Sequence, residues 1–430
     1  MRRLVMACAA LTAAAWVATP TTQVFAHAGL QASVPAANSV LDSAPPEILL
    51  DFDEAIEPSL ASIHLYSGDG LEVPIGDPRA GSDSTVVSAK IPSLGDGLYA
   101  VIWRVASVDG HVVDGAFSFQ IGDGNDRGGA ALIAAVKDGV QASPAVRAWA
   151  GIARGIGYLC LVLLVGSGYW LMRATALGVP VGRRAKLVPA ASLLLVASAA
   201  TSYVLFGADA VAGSLGDALS PSVWGAVSDT RTGGLLKARI GFALAWCAVA
   251  LSVQRLPASW RRWIEGALAL AVLVTFAAVG HPGAEAGAAI WVAVDMVHLA
   301  SMALWLGGVI VLASLSRPSL ATDEGATLAK RFSRTAIAAF PLAIATGIAA
   351  TLRLGPGIGS LTDSEWGREL LVKIGLVAGI LLLAATARFL VQRRSAGTLR
   401  PALLAEVALG LGVLGLAASI TALPPRTSAA

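Results

Sequence analysis

Two parts of the chain differ in their pattern of hydrophobic and polar positions. Residues 27–122 alternate between apolar and polar side chains over short runs, most clearly from Ala61 to Tyr66, and Gly, Pro and Asp turn signals separate those runs. Alternation with a period of two is typical of half-buried strands. About seven short strands in so short a segment predict a small all-β sandwich, immunoglobulin-like or Greek-key.

From residue 148 onward the pattern changes to long apolar stretches, each close to the ~20 residues that a membrane-spanning helix needs. They predict an all-α polytopic membrane domain over residues 148–425, with residues 123–147 as the linker. Residues 208–233 are too polar to span and are expected to lie over the outer face. The eight predicted spans are residues 148–172, 187–207, 234–254, 263–281, 288–315, 332–353, 368–392 and 401–423.

The N-terminus and the loop charges predict the orientation. Residues 1–26 have a positive start, an apolar run and small residues before Ala26, so we expect a signal peptide cleaved there. If the first domain is exported, the loops placed in the cytoplasm carry more Arg and Lys than the opposite loops, as membrane insertion favours. The sequence predicts a multi-pass membrane protein with its N-terminal domain and C-terminus outside.

Composition narrows the classes of function. The chain is 56% hydrophobic and 14% charged, whereas soluble domains are about 25% charged. Its net charge of +3 gives no reason to expect a nucleic-acid partner. Cleavage would leave two of the three cysteines, Cys160 and Cys247, both in apolar stretches. Neither a disulfide framework nor a thiolate metal cluster is expected.

A nitrogen-rich metal site is predicted in the exported domain. Cleavage would make His27 the first residue, so that its α-amine and its imidazole could chelate one ion. Cu(II) is the divalent ion that such nitrogen sites hold most strongly. Asp109 and His111 lie two residues apart and, if extended, face the same side. A carboxylate and a second imidazole would then complete the set of ligands.

Residues 27–122 resemble the periplasmic copper-binding protein CopC. The resemblance rests on HAGL at the mature start, LDFDE followed by IEP, and the run WRVASVDGH from Trp103 to His111 followed by GAFSF. It implies a Cu(II) site formed by His27, Asp109 and His111. Some CopC proteins also have a Met-rich Cu(I) site, but residues 27–130 contain no Met, so we expect Cu(II) only.

The membrane domain contains two histidines, His281 at the outer end of the fourth span and His298 within the fifth. Asp295, His298 and Met302 are spaced i, i+3 and i+7 and therefore share one helix face. A carboxylate and an imidazole are costly in a bilayer unless they face a partner or a cavity. These four residues are a candidate copper path; the alternative is a structural hydrogen bond between helices.

Residues 150–425 resemble the copper-resistance membrane protein CopD. The resemblance rests on Gly280-His281, the stretch from Asp295 to Gly308, RFS at 331–333, LLVK at 370–373 and LPP at 423–425. A CopC-like domain followed by a CopD-like domain implies a fusion that binds copper outside and moves it across the membrane, generally inward.

Transport without enzymatic activity is therefore the expected function, in copper homeostasis or resistance. Expected partners are the copper ion, the bilayer, extracytoplasmic copper donors and a cytoplasmic copper chaperone. Two alternatives stay open. One is a membrane electron-transfer or haem protein that uses His281 and His298. The other is a sensing or storage module without transport.

Overall fold

The computed structural model describes residues 29–122, 128–137, 142–252, 256–280, 287–354, 360–392, 396–421 and 423. The predicted signal peptide, His27 and His281 lie outside the described residues.

The N-terminal domain is a β-sandwich, as its alternation predicts. Its strands are β1 (Leu30–Val34), β2 (Val40–Leu41), β3 (Glu47–Phe52), β4 (Ile56–Ser67), β5 (Glu72–Val73), β6 (Arg79–Ala80), β7 (Val86–Lys90), β8 (Gly97–Ser107) and β9 (Val112–Ile121). One sheet has the order β1-β3-β7-β6 and the other β2-β9-β8-β4-β5. The central strands β4, β8 and β9 are antiparallel, and β2 runs parallel to β9.

The core lies between the two sheets. Alternate residues of β8 point into it, and Trp103 meets Phe52 edge to face at 5.1 Å between ring centroids. Phe119 stacks on Tyr99. Both Trp103 and Phe119 are therefore core residues. A fully buried side chain of this size contributes about 1.5–3 kcal/mol, so the packing holds β8 and β9 in place under the turn that joins them.

The rest of the described chain is mainly α-helical. The helices are α1 (Gly129–Lys137), α2 (Pro144–Leu161), α3 (Gly168–Ala176), α4 (Leu187–Ala210), α5 (Pro221–Ser228), α6 (Arg231–Leu251), α7 (Ala258–Ala277), α8 (Ala288–Ser314), α9 (Arg317–Ala321), α10 (Asp323–Leu354), α11 (Ser360–Asp363), α12 (Glu365–Gln392) and α13 (Ala396–Ile420). A π-helical turn, Val162–Ser167, joins α2 to α3.

Seven segments of the described chain are long and apolar enough to cross a membrane. They are Pro144–Ala176, Gly182–Ala210, Arg231–Leu251, Ala288–Ser314, Asp323–Arg353, Glu365–Thr386 and Arg400–Ile420. The remaining predicted span, 263–281, falls on α7, which is 20 residues long. Arg261, Arg262 and Glu265 near its start set α7 apart from the other seven.

The described chain divides into two compact units. One contains the sandwich, α1 and the start of α2, together with residues 201–236. The other contains residues 151–200 and the helices from residue 237 onward. The polar connection between α4 and α6 therefore belongs with the sandwich.

Candidate metal centre

The turn between β8 and β9 carries Asp109 and His111. It is closed by hydrogen bonds from the Ser107 N–H to the His111 carbonyl and from the Gly110 N–H to the Ser107 carbonyl, both 2.8 Å. Gly110 has a φ of 91°, which favours glycine. The 107–111 segment is therefore a tight turn, so the condition of an extended segment is not met. The turn still brings the two predicted side chains together.

Asp109 and His111 form a close pair. One carboxylate oxygen of Asp109, Oδ2, lies 2.8 Å from His111 Nδ1, and the other accepts the His111 backbone N–H at 2.9 Å. Asp109 is 1% exposed. Since a carboxylate accepts, Nδ1 carries the proton and the lone pair of the neutral ring is on Nε2. A histidine held in this way by a carboxylate is the usual arrangement of a metal-ligating imidazole.

Glu54 belongs to the same site, although sequence reasoning did not single it out. Burial and the neighbouring Asp109 charge raise its pKa to about 8, against the lesser opposing effect of a hydrogen bond from Ser107. Its Oε1 atom is buried without a hydrogen-bond partner in the described part of the chain. A buried carboxylate oxygen of this kind needs a cation or a donor. The available signal was its position in the acidic pair that follows β3.

The first described residue is anchored beside this carboxylate. The Gly29 N–H donates to Asp53 Oδ1 at 2.6 Å, and the Asp53 N–H donates to the Gly29 carbonyl at 3.0 Å. Asp53 precedes Glu54, so the chain enters the sandwich next to the carboxylates. Burial raises the pKa of Asp53, although the Gly29 N–H opposes the shift.

Among the described residues, no group of three or more His, Cys, Asp or Glu side chains is placed to hold a metal ion. His64 lies on β4, where its Nδ1 is 2.7 Å from Glu72 Oε1 at the surface. The described residues thus supply the Asp109–His111 pair, with Glu54 beside it.

In the membrane region His298 lies on α8 and bonds to α10. Its Nδ1 is 2.9 Å from the Ala343 carbonyl oxygen and 3.1 Å from Thr346 Oγ1. Because a carbonyl only accepts, Nδ1 carries the proton and Nε2 the lone pair. The α10 backbone approaches closely here, since a Cβ on Gly347 would lie 3.3 Å from the His298 ring. His298 therefore joins two helices and still presents a ligand nitrogen.

The other membrane candidates have different neighbours. Asp295 interacts electrostatically with Lys373 of α12 and Arg353 of α10. Met302 packs against the apolar cluster of the helices. Because α8 is helical throughout, the i, i+3, i+7 spacing places Asp295, His298 and Met302 along one face.

Comparison with known proteins identifies both regions. Residues 30–122 match the CopC domain, residues 145–291 the copper resistance protein D-like N-terminal domain, and residues 326–420 copper resistance protein D. The copper transport protein CutJ of Bacillus subtilis is 27% identical over 415 residues, which cover 93% of this chain and 74% of CutJ.

Two further similarities concern the sandwich. Copper resistance protein C of Xanthomonas campestris pv. juglandis is 37% identical over 105 residues, 23% of this chain and 81% of that protein. The crystal structure of CopC from Methylosinus trichosporium OB3b is 28% identical and has a TM-score of 0.22, covering 23% of this chain and 98% of that one. The chain belongs to the CopC family through its sandwich and continues into a CopD membrane region, as a CopC–CopD fusion.

Proposed function

We propose that this protein binds Cu(II) on the outer side of the bacterial cytoplasmic membrane and carries copper inward. Relatives of its two regions are named copper transport and copper resistance proteins. The observation that carries the proposal is the Asp109–His111 pair, because a carboxylate orients an imidazole whose Nε2 can ligate.

His27 supplies the remaining nitrogens after cleavage. Its Cα is at most ~7 Å from that of Gly29, since two residues of extended chain span no more. Gly29 is bonded to Asp53, next to Glu54 and the Asp109–His111 pair. The α-amine and ring of His27 and Nε2 of His111 supply three nitrogens, which suit the tetragonal geometry of Cu(II). The fourth proposed ligand is the carboxylate of Asp109, which has to leave Nδ1 of His111 to reach the same ion, because the two ring nitrogens point away from each other.

Inside the membrane, copper passes His281 and then the α8 face formed by Asp295, His298 and Met302. The thioether of Met302 is the soft donor of this path, and Nε2 of His298 is its imidazole donor. The sequence contains no nucleotide-binding motif, so the energy comes from the gradient, the membrane potential or a cytoplasmic copper chaperone. Extracytoplasmic copper donors load the outer site.

Eight spans complete the topology. The 20 residues of α7 extend for about 30 Å, the thickness of the hydrocarbon core. Arg261 and Arg262 lie at its start, where long basic side chains reach the headgroups on the positive inner side. An even number of spans keeps the copper-binding domain and the C-terminus on the outer side.

Cu(II) binding by the full chain, purified without its signal peptide, tests the outer site. We expect one Cu(II) with a nitrogen-rich electron paramagnetic resonance spectrum. The affinity should fall steeply from pH 7 to pH 5, because the amine and both imidazoles must lose protons to ligate. An affinity that does not change over this range would contradict the site.

Copper flux into proteoliposomes tests transport. We expect the wild type to accumulate copper and His298→Ala to lose most of the flux, with His64→Ala as a control that leaves the membrane helices untouched. Unchanged flux in His298→Ala would remove His298 from the path. A haem absorbance band in the purified protein would favour electron transfer instead.

A further inference from the structure

The outer face of the five-stranded sheet is covered. Strand β8 is buried over almost its whole length, on both faces. Residues such as Val101 and Trp103 fill the core, while Leu98, Ala100 and Ala106 point to the other side. Antiparallel sheets commonly present a polar outer face to water. An apolar outer face therefore requires a cover.

Two segments provide that cover. At one end of the face, Leu132 of α1 packs on Leu98 and Ala100. At the other end, residues 201–236 pack on the sheet through an apolar cluster. The cluster consists of Leu60, Ala106, Ala210 and Val227, with Val112, Tyr203, Phe206, Val223 and Ala226 around it.

A buried arginine, Arg104, lies within this contact. It is 5% exposed, and its Nη2 and Nε donate to the Asp209 carboxylate and carbonyl, both at 2.8 Å. Its Nη1 donates to Asp114 Oδ1 at 3.2 Å, on the cross-strand partner in β9. Asp209 lies in the last turn of α4, where carbonyls lack helical donors. The guanidinium thus joins the sheet to the end of a helix.

A second set of bonds joins the sheet to the α5–α6 region. Glu57 Oε1 accepts the Arg231 N–H at 2.9 Å, at the start of α6, and Ser59 Oγ donates to the Ala226 carbonyl at 3.3 Å. The turn that carries the copper ligands is in contact as well. A Cβ on Gly110 would lie 2.7 Å from Oγ1 of Thr232, which is 6% exposed.

We propose that residues 201–236 are the docking surface for the copper-binding domain, and that Arg104 and Asp209 hold the 107–111 turn against the first turn of α6 for copper transfer. This proposal rests on the proposed function. Both α4 and α6 belong to candidate membrane spans, so docking presents the copper turn to the ends of two such helices. Arg104 and Asp209 are positioning residues: they set where the ion is released and leave its binding unchanged.

The test uses the full chain in proteoliposomes and measures docking, binding and uptake separately. Docking is measured as the yield of a disulfide between Ser59→Cys and Ala226→Cys, in a background where Cys160 and Cys247 are replaced by Ala. Asp209→Ala should lower the disulfide yield. It should also slow copper uptake about tenfold, because undocking lowers the effective concentration of the donor site. Cu(II) stoichiometry and spectrum should stay as in the wild type.

Two further variants make the result specific. Arg104→Asp combined with Asp209→Arg should give a higher disulfide yield and faster uptake than Arg104→Asp alone or Asp209→Arg alone. Asp229→Ala removes an exposed carboxylate from the same segment and should change neither quantity. Uptake that falls while the disulfide yield is unchanged would overturn the proposal, as would undocking without loss of uptake. If the wild type takes up no copper, transport itself fails, a result distinct from failure of docking.

Discussion

The two candidate metal sites hold their histidines in different ways. His111 is oriented by a carboxylate two residues away, within one tight turn. His298 is oriented by the Ala343 carbonyl and the Thr346 hydroxyl, 45 and 48 residues away on another helix. Both rings carry the proton on Nδ1 and the lone pair on Nε2. The charged partner of His111 makes its ring the more basic ligand, which suits capture, while the neutral partners of His298 suit release.

Removing the ring at position 111 should have the largest effect. His111→Ala takes away one of three proposed nitrogen ligands, and we expect Cu(II) affinity to fall by about 100-fold or more, ~2.7 kcal/mol. Competition titration against a chelator of known affinity measures the change. His64→Ala, which removes an imidazole paired with Glu72 at the surface, is the matched control. Equal losses in the two variants would show that copper binds adventitiously.

The next largest effect on Cu(II) affinity should come from substitution of Asp109, the charged partner of His111. Asp109→Asn keeps the size of the side chain but removes the charge that orients His111, and the loss of such a partner costs metal sites about 10–100-fold. The electron paramagnetic resonance spectrum of the Asp109→Asn variant should show altered nitrogen couplings, with one Cu(II) still bound per chain. If the variant binds as tightly as the wild type, the carboxylate is neither a ligand nor the group that orients the ring, and the contrast with His298 disappears.

The sequence predicted features that depend on residues close together in the chain. It did not predict features that depend on residues far apart in the chain. Alternation predicted the sandwich, and the two-residue spacing predicted the meeting of Asp109 and His111, because these depend on neighbours in the chain. The detailed shape of the turn depends on Gly110 and on the bonds that close between Ser107 and His111. Glu54 was missed because it is brought to the site only when β3 and β8 pack into one sandwich.

In the membrane region the apolar stretches predicted the helices, but not what each polar side chain meets. The bond from His298 to Ala343 is made to a backbone carbonyl, which has no signature in the sequence. Burial of β8 on both faces was not predicted. What covers it, the segment around Asp209, could be found only from the fold.

Substitution of Glu54 is expected to have a smaller effect, which concerns the folding stability of the metal-free protein. Burial and the Asp109 charge raise its pKa from 4.5 to about 8. As the pH rises, Glu54 therefore loses its proton in the unfolded chain at a lower pH than in the folded protein. Deprotonation thus favours the unfolded chain, and the folded protein loses stability between pH 4.5 and 8. Glu54→Gln should raise stability at pH 8 by about 1 kcal/mol, less than the full shift implies because the side chain is partly solvated.

Thermal unfolding of the metal-free variant and wild type at pH 4 and pH 8 measures this effect. The stabilisation should be present at pH 8 and absent at pH 4. Stabilisation of the same size at both values would mean that Glu54 acts through packing and that its charge plays no part.

The smallest effect should come from Thr346. Thr346→Val removes one of two acceptors for the Nδ1 proton of His298, while the Ala343 carbonyl, 2.9 Å away, still holds the ring. A neutral hydrogen bond contributes about 1 kcal/mol, so we expect copper flux to fall only several-fold, without loss of the folded protein. Thr351→Val, on the same helix, removes a hydroxyl that bonds to its own helix at Gly347 and should leave the flux unchanged. A loss as severe as that of His298→Ala would mean that Thr346 does more than share the ring's proton, and that the membrane histidine depends on one partner as strictly as His111 depends on Asp109.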